Sequence, residues 1–136
     1  NLITAPWISS LTARGSKVIG GPAGNFQASV TLSGVGATKG TLGKAGIAGS
    51  VIGGAWGITG AAGSVSIRGS FTNCTFQAGL LKSLSVVGVI SENASDGDTD
   101  VIRAASGGFT LRDSTGSWWI DLTHEHWFSG TRAYVG

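Results

Sequence analysis

This sequence carries little charge. Asp, Glu, Lys and Arg make up 12% of its 136 residues, about half the share of an ordinary globular chain. Its basic residues are scattered singly from Arg14 to Arg132, and no run of them offers a stripe that would track a phosphate backbone. A net charge of +2 and a pI near 9.0 therefore do not point to nucleic acid. Cysteine is nearly absent. Cys74 stands alone, which excludes an intrachain disulfide and a Cys-based zinc site; it is expected to be a small buried hydrophobe rather than a link between chains. No run of 18 apolar residues occurs, so no apolar helix spans a membrane. The chain opens at Asn1 without Met and shows no signal-peptide pattern. That opening suggests a processed or excised form and favours export.

Catalytic signatures are missing as well. No serine sits in a Gly-x-Ser-x-Gly elbow, there is no phosphate loop, and the glycines Gly34, Gly36 and Gly40 miss the dinucleotide spacing. Seven acids, three of them in one short stretch, are a thin supply for paired carboxylates. A hydrolase would have to gather two of Asp113, Asp121 and Glu125. The expectation is that the protein is not an enzyme.

Glycine, in contrast, is abundant at 24 residues. Five Trp, five Phe and one Tyr lie among them with many Val, Ile and Leu, so the chain folds rather than staying disordered. Its informative feature is an internal unit, Ser-apolar-x-apolar-x-Gly. The clearest copies begin at Ser10, Ser29, Ser64 and Ser83 and end at Gly15, Gly34, Gly69 and Gly88. Weaker copies span Thr41–Gly46, Ser50–Gly54 and Gly108–Asp113, and Phe26-Gln27-Ala28 echoes Phe76-Gln77-Ala78. Alternation within each unit is the period of a strand with one buried face. The closing Gly reads as a turn residue tolerating positive φ, and helical periodicity is nearly absent. The expected fold is all-β. A β-solenoid would stack like residues at like positions; a β-sandwich is the alternative, kept open by the uneven spacing between copies.

Stretches such as Ile8–Gly15, Ala62–Gly69 and Leu81–Val86 resemble the Gly/Ser/Val-rich units of large secreted bacterial repeat proteins of β-solenoid surface or adhesin-like type. The likeness covers about residues 8–113 and is compositional. It implies a stacked β scaffold and carries no catalytic motif.

We read 1–136 as one domain, with a repeat-like β body over 1–113 and an aromatic-rich segment over 114–136. That segment holds Trp118, Trp119, Trp127, Phe128, Tyr134 and both histidines. As a single strand over 118–128, it would set Trp118, Ile120, Leu122, His124, His126 and Phe128 on one face. It suits capping, subunit docking, or stacking on sugar rings, with Trp118, Trp119, Trp127 and Phe128 as candidate contacts and Trp56 as a further aromatic. His124 and His126 share a face and are two ligands of a metal site that needs three or four. The acidic stretch 91–100 reads as an exposed loop, in which Asp96, Asp98 and Asp100 are candidate calcium ligands; otherwise no cofactor is expected. Asn73 and Asn93 head N-glycosylation patterns, Asn93 in the better loop context. Thr12, Thr31, Thr59 and Thr110 do not form the flat ladder of an ice-binding surface. The leading expectation is an extracellular structural protein that assembles with copies of itself into a layer, fibre or matrix. The alternative is a carbohydrate-binding or adhesive module that uses the C-terminal aromatics on surface glycans.

Overall fold

A computed structural model describes residues 2–14, 25–34, 40–91, 100–128 and 130–136. Among them there is no helix, and the chain is all-β. The described residues form fourteen strands in chain order: β1 (Leu2–Ala5), β2 (Ile8–Ala13), β3 (Ser29–Leu32), β4 (Leu42–Ile47), β5 (Val51–Ile52), β6 (Ala55–Ile67), β7 (Phe71–Thr72), β8 (Thr75–Val86), β9 (Ile90–Ser91), β10 (Asp100–Ala104), β11 (Phe109–Asp113), β12 (Gly116–Ile120), β13 (His126–Phe128) and β14 (Thr131–Val135).

They form a mixed eleven-stranded sheet and a parallel three-stranded one, β5-β7-β9. The long strands β6 and β8 pair in parallel along both halves, so the large sheet has two branches. One runs β1-β3-β6-β8-β10-β14 and the other β2-β4-β6-β8-β11, every pairing within them parallel. Among the described residues the only antiparallel strand pairs are β11 with β12 and β13 with β14, at the C-terminal edge. Partners between β6 and β8 lie 20 residues apart from Ala55↔Thr75 to Ile58↔Ala78, then 19 apart from Ala61↔Leu80 on. One extra residue in β6 absorbs the difference as a bulge.

Register places like side chains side by side, and that builds the core. Ile3, Val30, Trp56, Phe76, Ile102 and Ala133 follow one another across the first branch. Leu11, Ala45, Val65, Leu84 and Leu111 do so across the second. Phe26, Val51, Phe71 and Ile90 line the small sheet. Apart from the edge residues Ile3 and Leu11, all of these are buried. Phe26 and Phe76 flank Trp56 with ring centroids 5.1 and 5.6 Å away, the tilted geometry that aromatic pairs prefer.

Some copies of the unit align in register, but the frame of others differs from the sequence reading. Ser10, Ser64 and Ser83 do share a register, with Lys44 and Thr110 as their partners. The aligned copies are therefore Lys44–Gly49 and the segment from Thr110, not Thr41–Gly46 or Gly108–Asp113. The Ser29 copy belongs to the other branch. Phe26 and Phe76 also lie in different sheets, so their tripeptides are not equivalent. Both slips have one cause: an alternation of period 2 fits several frames, and only backbone pairing selects one.

The closing glycine has a different purpose from the one its sequence suggests. Positive φ falls on Gly53, Gly54, Gly107, Gly116, Gly130, Gly136 and Asn73, not on Gly69 or Gly88. At Gly69 a Cβ would lie 2.7 Å from Gly49 backbone atoms, and at Gly88 2.7 Å from the Gly69 carbonyl oxygen. Backbones meet here: Gly69 N–H donates to the Gly49 carbonyl and Gly88 N–H to the Gly69 carbonyl, both at 2.8 Å. Serine hydroxyls tie the adjoining corner, with Ser70 N–H donating to Ser50 Oγ at 2.9 Å and Val89 N–H to Ser70 Oγ at 3.1 Å. Close approach, not torsion, demands glycine at this corner.

Candidate functional site

The chain's last quarter turns back on itself three times. β11 and β12 form a hairpin closed by Ser114-Thr115, where Asp113 Oδ1 accepts from Thr115 N–H at 2.7 Å and from its hydroxyl at 2.5 Å. Such an Asx turn satisfies loop amides without a partner strand. The expected single strand over 118–128 is not formed. β12 stops at Ile120 and β13 starts at His126, with a tight turn between, in which Asp121 and His124 exchange backbone hydrogen bonds. Asp121 is the cause. Its carboxylate accepts from Thr123 N–H at 2.9 Å, Thr123 Oγ1 at 3.0 Å and Trp119 Nε1 at 3.0 Å, and its Oδ1 lies 2.8 Å from His124 Nδ1. The His124 bond, then those from Thr123, hold its carboxyl well below the usual carboxylate range.

This reversal divides the aromatics. Trp118 and His126 stack at 4.0 Å, and Phe128 stands edge-on to both, 5.3 Å from Trp118 and 4.6 Å from His126. These three rings are half-buried and bridge β12 to β13; Trp118 and Phe128 also pack against the core. Trp119 and Trp127 point away, 57% and 55% exposed. Beside Trp127, the Arg132 guanidinium lies 4.0 Å from the Tyr134 ring centroid and donates to Glu125 Oε2 at 2.6 Å. A cleft lined by Asp121, Leu122, Thr123, Glu125, Arg132, Tyr134 and Val135 runs past these groups.

Of the candidate contacts, Trp118 and Phe128 thus come together, while Trp119 and Trp127 do not join them. His124 and His126 have separate partners, Asp121 and Trp118. Among the described residues no group of three His, Cys, Asp or Glu could hold a metal ion. Asp96, Asp98 and Asn93 lie outside the described residues. Asp100 opens β10 and accepts from Thr75 Oγ1 at 3.3 Å. Asn73 is half-buried at φ 54°, beside buried Cys74. The Cys74 thiol donates to the carbonyls of Gly53 at 3.0 Å and Thr72 at 3.1 Å. Burial, helped by the Asp100 charge, pushes its pKa up to about 12, which makes it a poor nucleophile. The acids weighed for hydrolysis are engaged apart: buried Asp113 with Thr115 and Ile90, Asp121 in its turn, Glu125 with Arg132.

No family model, curated protein or solved structure matches the chain. Sequence reasoning missed the Asp121 turn, although Asp-x-Thr-His after an apolar strand is a legible Asx signal. No helix among the described residues is long and apolar enough to cross a membrane.

Proposed function

We propose that the protein is a non-catalytic extracellular structural module, a β-solenoid whose copies assemble into a surface layer, fibre or matrix. The solenoid reading is supported by parallel ladders whose partners lie 20 residues apart from β4 to β6 and 19 or 20 apart from β6 to β8, together with apolar columns running from strand to strand. A sandwich would instead pair its strands mostly antiparallel.

The observation carrying the assembly reading is the N-terminal edge. Among the described residues β1 pairs only with β3, and β2 only with β4. Neither strand contains a charged residue, and Ile3, Ala5, Ile8, Leu11 and Ala13 are only partly buried against the core. Soluble proteins usually blunt such an edge with charge, proline or a covering loop. An edge pairing with its counterpart in a second copy would also complete the burial of those five side chains. Sedimentation velocity across a wide concentration range tests this. Association that grows with concentration is expected, and a monomer at the highest concentration would refute it.

A second reading, glycan binding by the C-terminal aromatics, is favoured by the exposure of Trp119 and Trp127. Alanine at either position would abolish glycan binding and leave association intact if that reading holds.

A further inference from the structure

The fold gathers bases that the sequence scatters. In the branch β2-β4-β6-β8-β11 each strand, or the residue following it, carries one cation: Arg14, Lys44, Arg68, Lys82 and Arg112 in order. All five are exposed. None has an ion-pair partner among the described residues, whose two bridges are His124–Asp121 and Arg132–Glu125. The one described acid on these strands, Asp113, is 6% exposed and fully engaged by Thr115 and Ile90. The five stand at different levels along the strands: Arg14 and Arg68 flank Ala48, Arg112 lies level with Gly46, and Lys44 and Lys82 lie nearer the strand starts, so the face is sparsely positive, with no compensating acid among the described residues.

A recess of about 360 Å³ opens within this face, lined by Thr12, Arg14, Gly46, Ala48, Ser66 and Arg68 together with Ala13 and Ile47. Its floor is made by β4. Gly46 pairs with Thr12 on one side and Ser66 on the other. Ala48 N–H donates to the Ala13 carbonyl at 2.8 Å and Arg68 N–H to the Ile47 carbonyl at 3.0 Å, which sets Ala48 between the two arginines. Two guanidinium groups and two hydroxyls thus flank a strip with almost no side chain. Nothing in the fold requires glycine at 46. Its φ is not positive, and an added Cβ would meet nothing within 4 Å, in contrast to Gly63, where a Cβ would lie 2.0 Å from the Gly43 carbonyl oxygen. Gly46 thus leaves the floor bare without a packing reason, as Gly57 does on the other branch, and a strand-interior glycine of this kind weakens the sheet.

We infer that this face binds an acidic polysaccharide, seating one carboxylate or sulfate group between Arg14 and Arg68 above Gly46. Charge density selects the class. Duplex DNA carries a charge about every 1.7 Å, far denser than these scattered cations. Single-stranded nucleic acid is held by aromatics interleaved with bases, whereas Ser, Thr and Gly separate these. A sparsely charged chain rich in hydroxyls meets both the cations and the Ser and Thr between them. The site is distinct from the C-terminal cleft and stands whether or not copies associate.

The test is isothermal titration of the whole chain with polygalacturonate, using neutral dextran and single-stranded oligothymidylate for comparison. Polygalacturonate should bind, more weakly at raised salt, and dextran should not. Arg14→Gln with Arg68→Gln should lower affinity on the order of tenfold. Gly46→Val should weaken binding comparably while leaving the thermal midpoint unchanged or higher. Gly57→Val, at an equally open strand position on the other branch, should leave binding unaltered. Undiminished binding by the double arginine variant, tighter binding of oligothymidylate, or no binding of polygalacturonate would each overturn the inference. So would loss of binding in Trp119→Ala or Trp127→Ala with the arginine variant unaffected, a result that supports the second reading instead.

Discussion

The two edges of the large sheet are built differently. At the C-terminal edge the chain abandons parallel pairing. β12 and β13 double back, and Trp118, His126 and Phe128 lock them together. Ionised groups crowd that edge, with Asp121, Glu125 and Arg132 all in hydrogen bonds. At the N-terminal edge β1 and β2 have no further partner among the described residues; neither strand contains a charge, Pro6 lies between them and Arg14 follows β2, and their inward side chains are half covered. Strands flanked by charge and locked by aromatics resist further pairing, whereas uncharged ones with unpaired backbone invite it. The contrast gives the molecule a direction.

Side-chain deletions should expose this difference most strongly. Trp56→Ala, in the fully buried middle of the body, should cost about 4 kcal/mol. Trp118→Ala in the half-exposed ring cluster should cost roughly 1–2 kcal/mol, and denaturant titration of both variants measures the gap. Glycines sharpen it next. Gly69→Ala drives a Cβ into Gly49 backbone and should cost about 2–3 kcal/mol, while Gly46→Ala should stay within ~0.5 kcal/mol of the parent or gain stability. Equal losses at both positions would contradict the close-approach account of the corner.

The body and the C-terminal turn should also respond to opposite ends of the pH scale. Cys74 has a raised pKa in the folded state, so its contribution is fully present below the unfolded thiol value. That contribution falls as pH rises from about 9 towards 12, by up to about 1.4 kcal/mol per unit. Stability measured over that range should lose this slope in Cys74→Ala. Asp121 is the reverse case. Its depressed pKa contributes stability above the ordinary Asp value, lost only as pH falls below about 4. Because the turn is exposed, the effect is the smallest of the set, read as a change in Trp119 fluorescence that Asp121→Asn removes.

Much of the body was legible from residues alone. Alternation around Ser64–Gly69 and Ser83–Gly88 marks strands with one apolar face, and the structure aligns those two copies in register. Frame was not legible for Thr41–Gly46 or Ser29–Gly34, because period-2 patterns slide and only inter-strand hydrogen bonds select a partner. At the C-terminus the aromatic segment stood out by composition. Its reversal did not, since Asp121 acts through four local hydrogen bonds that alternation does not encode. The basic face was hidden for a related reason. Arg14 and Arg68 each precede the closing glycine of a unit, yet they are 54 residues apart and become near neighbours only through β4.

The direction of the sheet is tested most directly by hydrogen exchange followed by mass spectrometry at low and high protein concentration. The account predicts that amides of β1 and β2 gain protection as concentration rises, while those of β12 and β13 do not change. Protection arising at β12 and β13 instead, or at neither edge, would contradict it.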